Sequence, residues 1–197
     1  ARITIRAFFI LWNNNMHLKS LLDAVNDIEE MPIEVHELSA HLIKFGCQDQ
    51  IIFFPDEEME PSILKGVHYR YTTSNGVYSP PNLVTLITFS PSLPVEWQRL
   101  VCCKELIHIC DTAVERTETA DEVKALIDKL LGPLTDGAVG VSDLMALKDQ
   151  IALYQAVGIL FPASAREQAI AAIEAGTHTI QDIVEWVALP EVAVKTV

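Results

Sequence analysis

The hydrophobic pattern of this 197-residue chain changes period twice. Residues 17 to 46 repeat at helical spacing, residues 50 to 90 alternate as strands do, and from Pro94 onward the spacing is helical again. A strand block set between two helical blocks constrains the chain to an α+β fold, because period-2 and period-3.6 stretches cannot exchange roles. The expectation is a small antiparallel sheet with hairpin connections, a helical core beside it, and C-terminal helices.

In "HLKSLLDAVNDIEE", Leu18, Leu21, Leu22, Val25 and Ile28 fall on one face, and Pro32 ends the run. "IEVHELSAHLIKFG" gives a second helix with Val35, Leu38, Leu42 and Ile43 inward and Gly46 as its stop. "QIIFF", "GVHYRYTT" and "NLVTLITFS" are the strands, with "SNG" at 74 to 76 as a turn. Helices follow from Pro94, in a stretch ending at Gly132, from "VSDLMALKDQ" to Phe161, and in "SAREQAIAAIEAG", where Ser164 and Glu167 stand at capping-box spacing. Ile170, Ile173, Ile180, Ile183, Val184 and Val187 give the last helices an apolar face that packs on the core or on a partner. Trp97, Trp186 and Tyr154 read as core. Residues 2 to 12 suit either a strand or a buried helix start. The expected division is a domain over 1–162 and a helical extension over 163–197.

The net charge of −13 argues against a duplex-DNA or anionic-membrane surface, which would need clustered Lys and Arg. No run reaches the length of a membrane span, and no signal peptide is visible. The cysteines, Cys47, Cys102, Cys103 and Cys110, form no disulfide framework, so a reducing cytoplasm is expected and the thiols read as small buried apolar groups. A lowered thiol pKa at Cys103, next to Lys104, is the alternative. "DEEMEP" at 56 to 61 reads as a solvated acidic loop, and His17, His36, His41, His68 and His178 as scattered surface or capping residues. No phosphate loop, dinucleotide fingerprint or serine-nucleophile signature occurs.

One stretch carries chemistry. In "VCCKELIHICD", Lys104, Glu105, His108 and Asp111 share a helical face. The zinc-peptidase signature His-Glu-x-x-His needs two imidazoles at i and i+4 and a glutamate that activates a metal-bound water. Lys104 stands at the first histidine position, and an ammonium has no lone pair to give a metal. Three readings follow from the residues: a metal-free ion-pair cluster in which Asp149, Glu105 or Asp111 holds Lys104; an altered metal site; and an ordinary helix surface.

A strand, "NLVTLITFS", leading into a KELIH helix, with "DQIALYQAVGILFP" further on, resembles the ImmA/IrrE-type zinc metallopeptidase family. "MPIEVHELSAHL" and "WQRLVCCKELIH" are similar to other parts of that family's pattern. Its later helix has the form E-x-x-A-N-x-F-A-A-x-L-L-x-P; aligned on Pro162, Asp149 takes the leading acidic position, and Ala152, Ala156, Ile159 and Leu160 match. Leu153 and Gln155 depart from it, and Asp149 is one methylene shorter than glutamate. The resemblance implies a zincin-like fold with Glu105 as the water-activating position and His108 and Asp149 as metal ligands. Because Lys104 removes a ligand, the expected function is a degenerate, cytoplasmic peptidase-fold protein of bacterial or phage type. It would bind a protein or peptide partner in a regulatory or assembly role, without cofactor, nucleic acid or membrane. The alternative is an active zinc endopeptidase with altered ligands that cuts a regulator protein, Asp111 or a water completing the shell.

Overall fold

A computed structural model describes residues 16–26, 28, 30–74, 76, 80–111 and 141–196. The sequence expectations for residues 2 to 12, for the helix ending at Gly132 and for Asn75 of the turn lie outside these residues. The fold is α+β. The chain divides into two compact units, one formed from 1–48 with 157–197 and one from 49–156.

In the first unit, α1 (Met16–Val25) and α2 (Val35–Lys44) pack together. Leu18, Leu21, Leu22 and Val25 are buried at helical spacing, as are Val35, Leu38 and Leu42. Burying each such side chain is worth roughly 1.5–3 kcal/mol. Ile43, expected inward, is 54% exposed, because Leu42 already fills the inward position and the next residue turns about 100° away. Gly46 closes α2 at φ 102°, a conformation that suits glycine, and lets the Cys47 N–H reach the Leu42 carbonyl at 3.0 Å.

The C-terminal helices of this unit are α5 (Ala163–Glu174), α6 (Ile180–Val187) and α7 (Glu191–Val194). The capping box expected from Ser164 and Glu167 does not form. Pro162 is the N-cap, so Ser164 already lies inside the helix and its Oγ donates to the Asn26 carbonyl at 3.1 Å. A capping box does form at α6, between Thr179 and Asp182. Ile183, Val184 and Val187 are buried as expected, whereas Ile170 and Ile173 are exposed. The inward line of α5 consists instead of Ala165 and Ala169, an i, i+4 pair of small residues.

In the second unit, β1 (Gln50–Pro55), β2 (Gly66–Thr73) and β3 (Asn82–Phe89) form a sheet of order β1-β3-β2. The expected antiparallel sheet is in fact mixed. β2 and β3 pair antiparallel, but β1 runs parallel to β3, with Ile51 opposite Thr85. Alternation sets which face a residue takes and says nothing of strand direction. The chain leaves β1, forms β2 on the far side of β3, and only then returns to the centre, which supplies the long connection a parallel pair requires.

Helix α3 (Val95–His108) and helix α4 (Val141–Leu160) as far as Ala156 complete this unit, and α3 packs on β2 and β3. The packing is close. A Cβ on Gly66 would collide with Cγ1 of Val101 and approach the Thr88 carbonyl oxygen to 3.1 Å. Tyr154 of α4, expected in the core, is 52% exposed, while Ala152, Gln155 and Ala156 make the inward face there. Gly66→Ala is therefore expected to destabilise the protein by about 1–3 kcal/mol, read as a lower urea midpoint at unchanged slope, with Val101→Ala recovering part of the loss in the double variant.

Candidate functional site

The last two turns of α3 present Lys104, Glu105 and His108, and the chain just beyond presents Asp111. On α3, Leu100, Val101, Cys103, Leu106 and Ile107 are buried. The polar residues of those turns are therefore drawn into the packed layer between α3 and its neighbours. Glu105 is 3% exposed and Asp111 8%.

The Lys104 ammonium donates to Asp149 Oδ1 at 2.6 Å and lies 2.8 Å from Glu105 Oε1. His108 Nδ1 is 2.8 Å from Asp111 Oδ2, and its Nε2 is 3.5 Å from Asp149 Oδ1. Lys148 Nζ lies 2.9 Å from Asp111 Oδ1. Of the three carboxylates the sequence offers for Lys104, the fold brings up Asp149 and Glu105; Asp111 is committed to His108 and Lys148.

Sequence reasoning missed His68, which it reads as a scattered surface histidine. On β2 it is opposite Ile87, on the sheet face covered by α3. Its Nδ1 is 2.9 Å from Glu105 Oε2, and its ring stacks on His108 with centroids 5.5 Å apart. The alternation of "GVHYRYTT" does place His68 opposite in facing to the exposed Tyr69 and Tyr71, but only the register of α3 over β2 gives that face a partner. A second missed group lies on the same sheet face. Arg70 donates to Asp49 Oδ1 at 2.6 Å and Thr85 Oγ1 to Asp49 Oδ2 at 2.7 Å.

The electrostatics follow from these contacts. Burial opposes the charge on Lys104, but the carboxylates of Glu105 and Asp149 outweigh it and hold the ammonium well above the ordinary lysine value. Burial likewise opposes ionisation of Glu105, and Lys104, the His68 hydrogen bond and His108 together bring its pKa down to about 2. For His108, burial is outweighed by hydrogen bonds to Asp111 and Asp149 and by the charge of Glu105, so its pKa rises to about 9. Asp149, buried too, is held below the usual carboxylate range by His108 and Lys104. At neutral pH the Lys104 ammonium and protonated His108 thus stand in balance against the carboxylates of Glu105 and Asp149.

That balance bears on the zinc the family resemblance implies. Both oxygens of Glu105 and one of Asp149 already face cationic or hydrogen-bonding groups of the chain, with the Lys104 ammonium at the centre. Among the described residues no group of three or more His, Cys, Asp or Glu side chains is disposed to hold a metal ion. The donor set as arranged suits an ammonium and does not suit zinc. Glu105 at a pKa of about 2 is also a poor proton acceptor for work near neutral pH.

The Cys102 and Cys103 thiols are not part of this chemistry. Burial, with the Glu105 charge adding to it, pushes the Cys102 thiol up to about 12, and burial lifts Cys103 further. Cys103 Sγ faces the Ala156 carbonyl at 4.0 Å. The lowered pKa weighed for Cys103 does not occur, because its side chain turns into the α3–α4 packing and away from the ammonium.

Two outcomes follow. Lys104→Met strands buried carboxylates and is expected to cost about 3–5 kcal/mol by urea denaturation. His108 binds its proton more tightly folded, at about 9, than at the ordinary 6.5, so its contribution is complete below pH 6.5 and is lost as pH rises through 9. Glu105 has the opposite sign: its contribution is present above the ordinary 4.5 and is lost as pH falls toward 2. Denaturation midpoints measured across pH are expected to plateau between about 5 and 6.5 and fall on both sides, the alkaline loss being on the order of 3 kcal/mol and absent in His108→Gln.

Among the described residues no helix is long and apolar enough to cross a membrane. The chain matches no protein-family model, no curated protein and no solved structure.

Proposed function

We propose that this chain acts by binding a protein or peptide partner, on a metallopeptidase-like scaffold whose water-activating pocket is filled by an internal ion-pair cluster. The observation that carries the reading is the Lys104 ammonium, 2.6 Å from Asp149 and 2.8 Å from Glu105, at the position where the resembling family places a metal ligand. A resident positive charge there opposes a divalent ion by repulsion and by occupying its donors.

The geometry also supports a place for the partner. Among the described residues β2 pairs on one side only, and Tyr69, Arg70, Tyr71 and Thr72 are exposed along it. An extended peptide adds to such an edge through backbone hydrogen bonds and needs no cleavage to stay bound. The resembling family's proteolytic members cut repressor-type regulators, so a regulator is the partner class the resemblance favours, and an assembly role follows from the same surface.

Protein purified without chelator is expected to contain zinc far below one equivalent by mass spectrometry of the metal, with a melting temperature moved neither by EDTA nor by added zinc. Peptides selected from a random display library are expected to shift the β2 backbone amide resonances, to be recovered uncut, and to bind Glu105→Gln as tightly as the parent. Stoichiometric zinc together with cleavage of a polypeptide would replace this reading with the active endopeptidase, His108 and Asp149 serving as ligands.

A further inference from the structure

Strand β2 turns its backbone groups two ways. The Ser90 N–H donates to the Lys65 carbonyl at 3.1 Å, straight across the β2–β3 register, so Lys65 opens the series of residues whose amides and carbonyls face β3. The Val67 carbonyl, which accepts from Thr88 Oγ1, belongs to the same series. Phe89, opposite Gly66, gives its carbonyl to Asp56 on the β1 side and so turns away from β2. By alternation, the backbone groups of His68, Arg70 and Thr72 point to the edge that pairs with no strand among the described residues.

The side chains alternate too. Tyr69 shares its face with Leu86 and Ile52, and Tyr71 shares it with Val84, on the side of the sheet opposite α3. Ile52, Tyr69 and Tyr71 are exposed, so an apolar row crosses the sheet and stops at the β2 edge. Arg70, between the two tyrosines, lies on the other face. Its Nη2 donates to Asp49 Oδ1, while Thr85 takes Oδ2, and the arginine side chain keeps 32% exposure. A guanidinium carries more N–H donors than one carboxylate oxygen takes up, so Arg70 still has donors to offer.

A strand laid antiparallel along β2 meets this pattern at three successive residues. Opposite Tyr71 and Tyr69 it stands in the closer, non-hydrogen-bonded pairs, where β-branched and aromatic side chains gain contact. Opposite Arg70 a carboxylate is the complementary charge. We propose that the β2 edge selects an extended segment of another protein with the pattern apolar–acidic–apolar, its carboxylate set against Arg70 and its two β-branched or aromatic residues against Tyr71 and Tyr69. A second copy of this chain does not supply that segment through its own edge strands, since QIIFFP and GVHYRYTT hold no Asp or Glu. The inference rests on the edge-binding reading above and adds which sequences the edge takes.

The test is a titration of the whole chain with the capped heptapeptide Ser-Thr-Val-Glu-Val-Thr-Ser, followed by backbone amide resonances and their hydrogen exchange. New protection is expected at the His68, Arg70 and Thr72 amides, with Tyr69 and Tyr71 protected already without peptide. Glutamine in place of the glutamate is expected to weaken binding about three-fold, and lysine more; serine in place of either valine is expected to weaken it about three-fold. Tyr69→Thr and Tyr71→Thr are each expected to reduce the preference for valine over serine at an unchanged melting temperature. Equal binding of the parent, lysine and serine peptides overturns the proposal and leaves the edge-binding reading standing, as do library-selected peptides that protect these amides without the pattern. If neither this peptide nor any selected one protects them, both fall. Protection of the same amides in the chain alone, growing with its concentration, gives the edge to a second copy and overturns the proposal.

Discussion

A single ammonium organises the second unit. Lys104 sits between carboxylates from its own helix and from α4, and each of them then fixes another group. Glu105 turns its second oxygen to His68 on the sheet; Asp149 lies against His108, which in turn meets Asp111. Sheet, α3 and α4 are thereby joined through one chain of charged contacts. Buried pairs of this kind hold little net advantage over apolar packing, but they permit few alternative arrangements, since every member left unpaired is costly.

The same economy shows on the sheet. Asp49, just before β1, accepts from Arg70 of β2 and Thr85 of β3. A carboxylate 3% exposed would be unfavourable alone, and here it pins the start of β1 to both other strands. With β2 and β3 both tied to Asp49, His68 stands opposite Ile87 and under α3. The position of the imidazole-bearing strand relative to the helix is thus set by groups that lie outside the chemically suggestive stretch.

Much of this could be read from the chain. Helical spacing identified the buried faces of α1 and α2 through Leu18, Leu21, Leu38 and Leu42. The i, i+4 geometry of α3, with an ungapped alignment on Pro162, is enough to bring Lys104, Glu105, His108 and Asp149 together. What escaped was set by tertiary contact. His68 owes its place to strand register, and the direction of β1 to a crossover, neither of which has a local signature. Ile43, Tyr154, Ile170 and Ile173 are apolar yet exposed, because smaller or better placed neighbours take the inward positions. The capping box fell at Thr179 instead of Ser164 because Pro162 had already opened α5.

The bare backbone at Gly66 has a consequence for length scales. Val101 lies over Gly66 and Glu105 over His68, so four residues of helix span two residues of strand. Four helical residues rise about 6 Å and two strand residues about 6.6 Å, which makes the two elements nearly commensurate over this distance. Helix and strand therefore run side by side like two rulers with almost matching divisions, aligned at a mark that carries no side chain.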